Sequence, residues 1–185
     1  EMFCDGDIAI PDYQRGFVWS IKQSSLLIES FLIGLPVPPI FLYIDEENKN
    51  LVIDGQQRLT TLWLLHWYLL LKSNNKDDKK KYLDVLSKFT YETRISSRKF
   101  CECLCQENNF NSLRNSSKDS SDIRKEIEKQ TWFMGEWKQD PTVKAMLNML
   151  GGTNGIQEFF TKNHQKYWSK LIGANCPITF YYLSL

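Results

Sequence analysis

The feature of this sequence that most constrains its fold is a short polar turn between two apolar segments. Residues 51–53 read Leu-Val-Ile and are typical of a strand, and residues 62–71 are an apolar run typical of a buried helix. The turn between them contains Gly55 and Arg58. A strand that leads into a helix places backbone N–H groups at the helix N-terminus, where anions bind. The sequence therefore predicts an anion site at the start of this helix.

A second polar stretch, residues 10–15, also stands between apolar segments. Pro11 has a fixed φ, so the residues after it are predicted to be extended. An extended segment here would bring Arg15 beside the same anion site. Tyr13, Gln14 and Arg15 are therefore candidate phosphate-binding residues.

Both polar stretches belong to longer motifs. Residues 10–19 read IPDYQRGFVW and residues 52–62 read VIDGQQRLTTL, and together they resemble the N-terminal domain of GmrSD-type restriction endonucleases. The likeness continues in three further segments, which are YETRISSRKF at 91–100, WFMGEWKQDPTVKAMLNML at 132–150 and ITFYYL at 178–183. The core of that family resembles ParB and sulfiredoxin, which share a G-x-x-R phosphate-contacting pattern that Gly55 to Arg58 fit. The resemblance implies nucleotide phosphate binding in a DNA-targeting defence system, with an HNH-type nuclease as a C-terminal domain or subunit.

The composition indicates a globular protein without a general affinity for DNA. The chain has 185 residues, of which 42% are hydrophobic, and this is enough to bury a large core. Lys and Arg number 23 against 22 acidic residues, so DNA contact would depend on local basic patches. The run 62–71 is too short to cross a bilayer. Five cysteines, an odd number, and no secretory leader predict a cytoplasmic location.

The fold class expected is α+β, with a ParB/sulfiredoxin-like α/β core and a mainly helical extension. The core is placed at 1–72 and the extension at 73–185, ending in a strand that returns to the core. Position 1 is Glu and the chain stops within an apolar run, so we expect a fragment of a longer protein. Within the core we predict a helix at 21–33 that Ser20 and Gln23 cap and Gly34 ends, a hairpin of strands 40–44 and 51–53, and a helix at 56–72.

The extension shows helical periodicity in several segments. The predicted helices are 81–89, 97–106, 122–138, 141–150 and 156–172. The stretch 107–121 is rich in Asn and Ser and is predicted to be a loop.

Arg58 is the strongest candidate for binding a ligand, because a guanidinium in the first turn of a helix makes paired hydrogen bonds to phosphate. The alternative is that Arg58 pairs internally with Asp54 or Asp12 and holds the turn. Gly55 would allow close approach of a ligand. The remaining candidates supply amide or hydroxyl groups, and they are Gln56, Gln57, Thr60 and Thr61.

Asp54 is the candidate catalytic residue. Its carboxylate could hold Mg²⁺ through water or activate a hydrolytic water, and NTP with Mg²⁺ is the expected cofactor pair. The alternative role is that of an N-cap, in which the carboxylate accepts bonds from first-turn N–H groups. Arg94 and Arg98 match an R-x-S-x-R segment of the family and are candidate additional basic contacts.

Several other activities are not supported by the sequence. Cys101, Cys103 and Cys105 lack paired metal-ligand spacing and are interpreted as structural, so no metal site is predicted from them. Sulfiredoxin chemistry needs a cysteine where this chain has Gln56 or Gln57. An HNH site needs clustered histidines, and the chain has only two, far apart in sequence.

The function predicted is that of an NTP-binding, and in one version NTP-hydrolysing, regulatory domain of a GmrSD-like restriction or phage-defence protein. Its partners would be a nucleotide and, through the complete protein, DNA. The main alternative is a ParB-like DNA-recognition module without hydrolysis. A direct nuclease is a further alternative, but the metal cluster that it requires is not apparent in the sequence.

Overall fold

The protein is built on a five-stranded sheet. The computed structural model describes residues 7–73, 79–118, 122–160 and 180–183. The strands are β1 Ile8–Ile10, β2 Ile40–Ile44, β3 Asn50–Asp54, β4 Phe89–Tyr91 and β5 Phe180–Leu183. Their order across the sheet is β4-β1-β3-β2-β5.

The strand directions create one edge at which three strands end together. β1 pairs in parallel with both β3 and β4, while β2 is antiparallel to β3 and parallel to β5. The carboxyl ends of β4, β1 and β3 therefore lie at the same edge. Ligands of α/β proteins commonly bind outside the carboxyl ends of the strands.

Helices surround this sheet, and most of them follow β3 in the chain. They are α1 Ile21–Leu32, α2 Gln56–Lys72, α3 Lys79–Ser87, α4 Ile95–Cys105, α5 Glu107–Ser116, α6 Ile123–Glu128, α7 Pro141–Gly151 and α8 Ile156–Phe160. A short 3₁₀ helix, Gly135–Gln139, lies between α6 and α7. None of the described helices is both long and apolar enough to cross a membrane.

Most local predictions for the first part of the chain are confirmed, but the extended segment predicted after Pro11 is wrong, because the Gln14 N–H donates to the Pro11 carbonyl at 3.1 Å and closes a turn. Ser20 and Gln23 form a capping box at the start of α1, and Gly34 follows its end at φ +77°. The strands β2 and β3 form the predicted hairpin, and α2 has the predicted bounds.

Helix α2 is the centre of the hydrophobic core and is anchored at two indoles. Trp63 Nε1 donates to the Leu86 carbonyl at 3.0 Å, and Trp67 Nε1 donates to the Leu104 carbonyl at 2.9 Å. Both indoles are fully buried. Because these bonds and the packing around them fix the helix, its N-terminus is held rigidly at the carboxyl edge of the sheet.

The prediction of a loop at 107–121 is wrong for 107–116, because α5 occupies Glu107–Ser116, and its last residues, 119–121, lie outside the described residues. Phe110 and Leu113 are buried three positions apart, and Phe110 packs edge-on against Trp67 with ring centroids 6.0 Å apart. Two apolar side chains on one face are sufficient to hold this polar segment as a helix.

The predicted helix 122–138 is also wrong in its middle part. Helix α6 ends at Glu128, and a turn precedes the 3₁₀ helix. This break allows Phe133 and Trp137 to pack against each other and against Phe100. Helix 81–89 also ends earlier, because Phe89 begins β4, and the predicted end of helix 156–172 lies outside the described residues.

The mixed α/β architecture is confirmed, while the closer likeness to ParB and sulfiredoxin stays a prediction. The division at residue 72 also stays a prediction. We note that the sheet takes β4 and β5 from the second part of the chain.

Candidate functional site

The candidate site lies at the carboxyl edge of β4, β1 and β3. The segment after β1 is joined to the end of β3 by a hydrogen bond from Gln14 Nε2 to the Ile53 carbonyl at 3.0 Å. The segments after β3 and β4 lead into α2 and α4. Both predicted polar stretches are therefore brought to one edge of the sheet.

No side chain of the described residues caps the start of α2. Gly55 is the N-cap residue at φ +92°, and its carbonyl accepts the N–H of Leu59 at 2.9 Å. The N–H groups before Leu59 belong to the first turn, which has no partners within the helix. Their partial positive charge makes this turn suitable for an anion.

The alternative N-cap role of Asp54 is wrong, because Gly55 occupies that position. The Asp54 carboxylate instead accepts from Arg58 Nη2 at 3.1 Å, and its side chain is 66% exposed. One carboxylate oxygen therefore remains available at the surface beside the helix start.

Arg58 makes the internal contacts that the sequence left as an alternative. Its Nη2 donates to the Pro39 carbonyl at 2.8 Å as well as to Asp54, and its side chain is 17% exposed. Its Nε is buried without a hydrogen-bond partner among the described residues. Arg58 thus holds the turn, and its role in phosphate binding stays a prediction.

Gln57 and Thr61 are buried and serve the fold at this point. Gln57 Oε1 accepts the N–H groups of Val18 and Trp19, and Gln57 Nε2 donates to the Gly16 carbonyl. Thr61 Oγ1 donates to the Gln57 carbonyl and lies 3.1 Å from the Ser24 hydroxyl. These bonds tie residues 16–19 to the first turn of α2, so both side chains shape the site from within.

Tyr13 and Arg15 are exposed at the rim of the site. Tyr13 is 70% exposed, and Arg15 forms no ion pair with the part of the chain that the structure describes. The Arg15 charge acts on the buried hydroxyl of Tyr91 at the end of β4.

Tyr91 is a residue of this site that the sequence analysis missed. Burial raises the pKa of Tyr91 far above its usual range, and the Thr60 hydroxyl and the Arg15 charge oppose that rise only partly. The only signal in the sequence was a tyrosine that directly precedes a polar Glu-Thr-Arg segment.

Arg94 and Arg98 lie on the adjacent helix α4. Arg94 is exposed at the N-cap, and Arg98 Nε lies 3.8 Å from the Glu102 carboxylate. A groove of about 550 Å³ passes between α4 and the 3₁₀ helix and is lined partly by Arg94 and Lys99. Asp140 joins the two sides, because it accepts the Ser96 hydroxyl and caps α7.

Among the described residues, no three His, Cys, Asp or Glu side chains are grouped as metal ligands. Cys101 and Cys105 are buried in the core, and burial raises the pKa of both thiols. They pack as small apolar side chains.

The fold and the site define an α/β protein in which the N-terminus of a helix lies at the carboxyl edge of the sheet, without a side-chain cap among the described residues. The chain belongs to the family of the GmrSD restriction endonuclease N-terminal domain, whose model matches residues 1–184. This confirms the resemblance noted in the sequence.

The chain is also similar to an uncharacterised protein of Methanocaldococcus jannaschii. The two are 37% identical over 83 residues, which cover 32% of this chain and 14% of that protein. The match therefore spans a small part of the length of this relative.

Proposed function

We propose that this chain is a nucleotide-binding regulatory domain of a DNA restriction or phage-defence protein, and that it binds an NTP at the start of α2. The observation that carries the proposal is the first turn of α2, which no described side chain caps, at the edge where Gln14 joins the segment after β1 to the end of β3. A triphosphate supplies the concentrated negative charge that such a turn and the exposed guanidinium of Arg15 attract.

Each residue of the turn has a distinct part in this proposal. The N–H groups after Gly55 bind phosphate oxygens, and Gly55 lets the ligand approach the backbone. Arg58 holds the turn and faces the phosphates with its remaining guanidinium N–H groups, while Arg15 closes the opposite side. Tyr13, which is exposed, is placed to contact the nucleotide from the rim.

Mg²⁺ fits the site only through Asp54, because this is the one carboxylate within the turn. Asp54 keeps an exposed oxygen beside Arg58, and a single carboxylate together with phosphate oxygens is a common way of holding Mg²⁺. A bound Mg²⁺ would neutralise phosphate charge. Asp54 would orient it or a water, so hydrolysis at this site would be slow.

The nuclease function belongs to another part of the system in this proposal. The family is named for restriction endonucleases, and the resemblance implies a C-terminal HNH-type domain or subunit that acts on DNA. The second candidate function is a ParB-like DNA-recognition module without hydrolysis. It rests on Arg94 and Lys99, which a DNA backbone would contact at the α4 rim of a groove that Glu136 and Asp140 also line.

Salt dependence distinguishes the two functions. We expect ATP, GTP, CTP or UTP with Mg²⁺ to bind the chain with a shallow dependence on salt, since the contacts involve one phosphate chain. DNA bound through several phosphates would instead weaken steeply, with a slope of about −0.9 per phosphate contacted in a log–log plot. Calorimetric titration of the chain with each NTP and with DNA at several KCl concentrations measures the two salt dependences. Tight, steeply salt-dependent DNA binding without NTP binding would favour the recognition module.

We also expect that the purified chain will not cleave DNA, because the described residues contain neither a metal cluster nor a complete nucleophile and base. Any hydrolysis should be of NTP, should require Mg²⁺, and should be lost in Asp54→Ala. Phosphate release and gel assays on plain and modified DNA measure the two activities. The control is Asp84→Ala, which removes an exposed carboxylate of α3 and should change neither. The proposal would be contradicted if the wild-type chain cleaved DNA and the Arg58→Ala variant cleaved it as well.

A further inference from the structure

Three neutral polar atoms are buried at the candidate site without a hydrogen-bond partner among the described residues. They are Gln56 Oε1 and Thr60 Oγ1 on α2 and the Tyr91 hydroxyl on β4. Gln56 is 6% exposed, Thr60 is 0% exposed and Tyr91 is 0% exposed. Most buried polar atoms in native proteins are paired, so three unpartnered atoms at one site need an explanation.

Two of these atoms belong to the first turns of α2, and the third belongs to the last residue of β4. Gln56 and Thr60 are four positions apart on α2 and share a face of the helix. The Thr60 hydroxyl faces the Tyr91 hydroxyl closely enough to affect its pKa, although the two do not meet hydrogen-bond geometry. Below them, Trp63 packs on Phe89, and Phe89 packs edge-on against Tyr91.

The chemistry of the three groups permits one order of donation that satisfies all of them. A glutamine Oε1 only accepts, whereas threonine and tyrosine hydroxyls both donate and accept. Tyr91 can therefore donate to Thr60, and Thr60 can donate to Gln56 Oε1. In that order the Gln56 amide N–H₂ group is directed away from the core, toward the first turn of α2.

We propose that Tyr91 and Thr60 are positioning residues for the triphosphate site, which direct the Gln56 amide N–H₂ group toward a phosphate oxygen. This inference rests on the proposed nucleotide function. The three hydrogen-bonding groups connect when a bound phosphate orients the Gln56 amide. The free energy of these hydrogen bonds then contributes to ligand affinity. In this proposal Arg15 binds the same phosphate.

Substitutions that remove only a hydroxyl test this proposal. Thr60→Val and Tyr91→Phe keep the side-chain shape, and Thr60→Ser restores the hydroxyl as a matched control. Affinity for inorganic tripolyphosphate and for the tightest-binding NTP is measured by calorimetry with Mg²⁺, and thermal melting follows the fold. We expect about tenfold weaker binding for Thr60→Val and at least threefold weaker binding for Tyr91→Phe, with Thr60→Ser within about twofold of the wild type.

The melting temperature separates positioning from a purely structural role. Because the two hydroxyls are unpartnered, Thr60→Val and Tyr91→Phe should melt at or above the wild-type temperature while binding more weakly. The double variant should bind no more weakly than Thr60→Val alone, because either change breaks the same chain. Wild-type affinity in both single variants, or weaker binding only in step with lost stability, would overturn the inference. If the wild-type chain binds no triphosphate, the proposed function fails together with this inference. If the wild type binds triphosphate and the variants bind it equally well, only this inference fails.

Discussion

Replacing Gly55 by alanine should destabilise the protein by about 2–5 kcal/mol, which is a large part of the usual stability of a domain. Gly55 has φ +92°, where an L-residue costs about 1–2 kcal/mol. An added Cβ would also lie 2.9 Å from Ile40 Cγ1 and 3.2 Å from Ile40 Cα, and such crowding adds about 1–3 kcal/mol. In a thermal melt we expect the midpoint to fall by about 5–15 °C.

Gly34→Ala is the matched control for this prediction. Gly34 also has a positive φ, +77°, but nothing lies within 4 Å of the Cβ that alanine would add. Gly34→Ala should therefore lower the free energy of unfolding only by the cost of the positive φ, about 1–2 kcal/mol. Equal losses in the two variants would show that crowding against β2 is not what requires glycine at position 55.

Arg58→Ala should reduce triphosphate affinity about tenfold or more, which corresponds to 1.4 kcal/mol per decade. The substitution removes a guanidinium from the first turn of α2 and also takes away the donor to the Pro39 carbonyl. Hydrogen bonds to charged groups contribute about 1.5–3 kcal/mol, so some loss of stability should accompany the weaker binding. Calorimetry and thermal melting measure the two effects separately.

Arg124→Ala separates these two effects. Arg124 resembles Arg58 in its contacts, because it pairs with Glu128 four positions away and donates to Asn148, but it lies on α6. Its loss should lower stability while triphosphate affinity stays unchanged. Arg58→Lys, which keeps the charge without the planar fork, should bind more weakly than the wild type. If Arg58→Ala kept the full triphosphate affinity, the role of Arg58 would be limited to holding the turn before α2.

Local signals in the sequence were sufficient for α1, α2 and the β2–β3 hairpin. Ser20 with Gln23 marked the start of α1, and the apolar run after Arg58 marked α2, because caps and periodicity depend on neighbouring residues. The errors arose where contacts between residues distant in sequence determine the secondary structure. Phe110 makes α5 helical through its contact with Trp67, and Phe133 leaves the helix to reach Phe100. Neither contact can be read from the local pattern.

The candidate site was predictable in position but not in its internal bonding. Both polar stretches were expected to meet, and the parallel pairing of β1 with β3 places them at one edge. The sequence could not show that Gln57 would bond to the backbone of residues 16–19, since this depends on how the segment after β1 crosses α2. It also could not bring Tyr91 of β4 beside Thr60.

The position of β1 in the sheet has a consequence for the order in which the chain folds. The β2–β3 hairpin joins residues close in sequence, with Ile44 paired to Asn50, whereas β1 and β4 pair Ile8 with Phe89. Closing the longer loop loses more chain entropy before any contact compensates for it. The hairpin and α2 should therefore form early, and the carboxyl edge should be completed only when β4 docks late in the reaction. Newly made chains would then acquire the ligand site as one of the last events of folding.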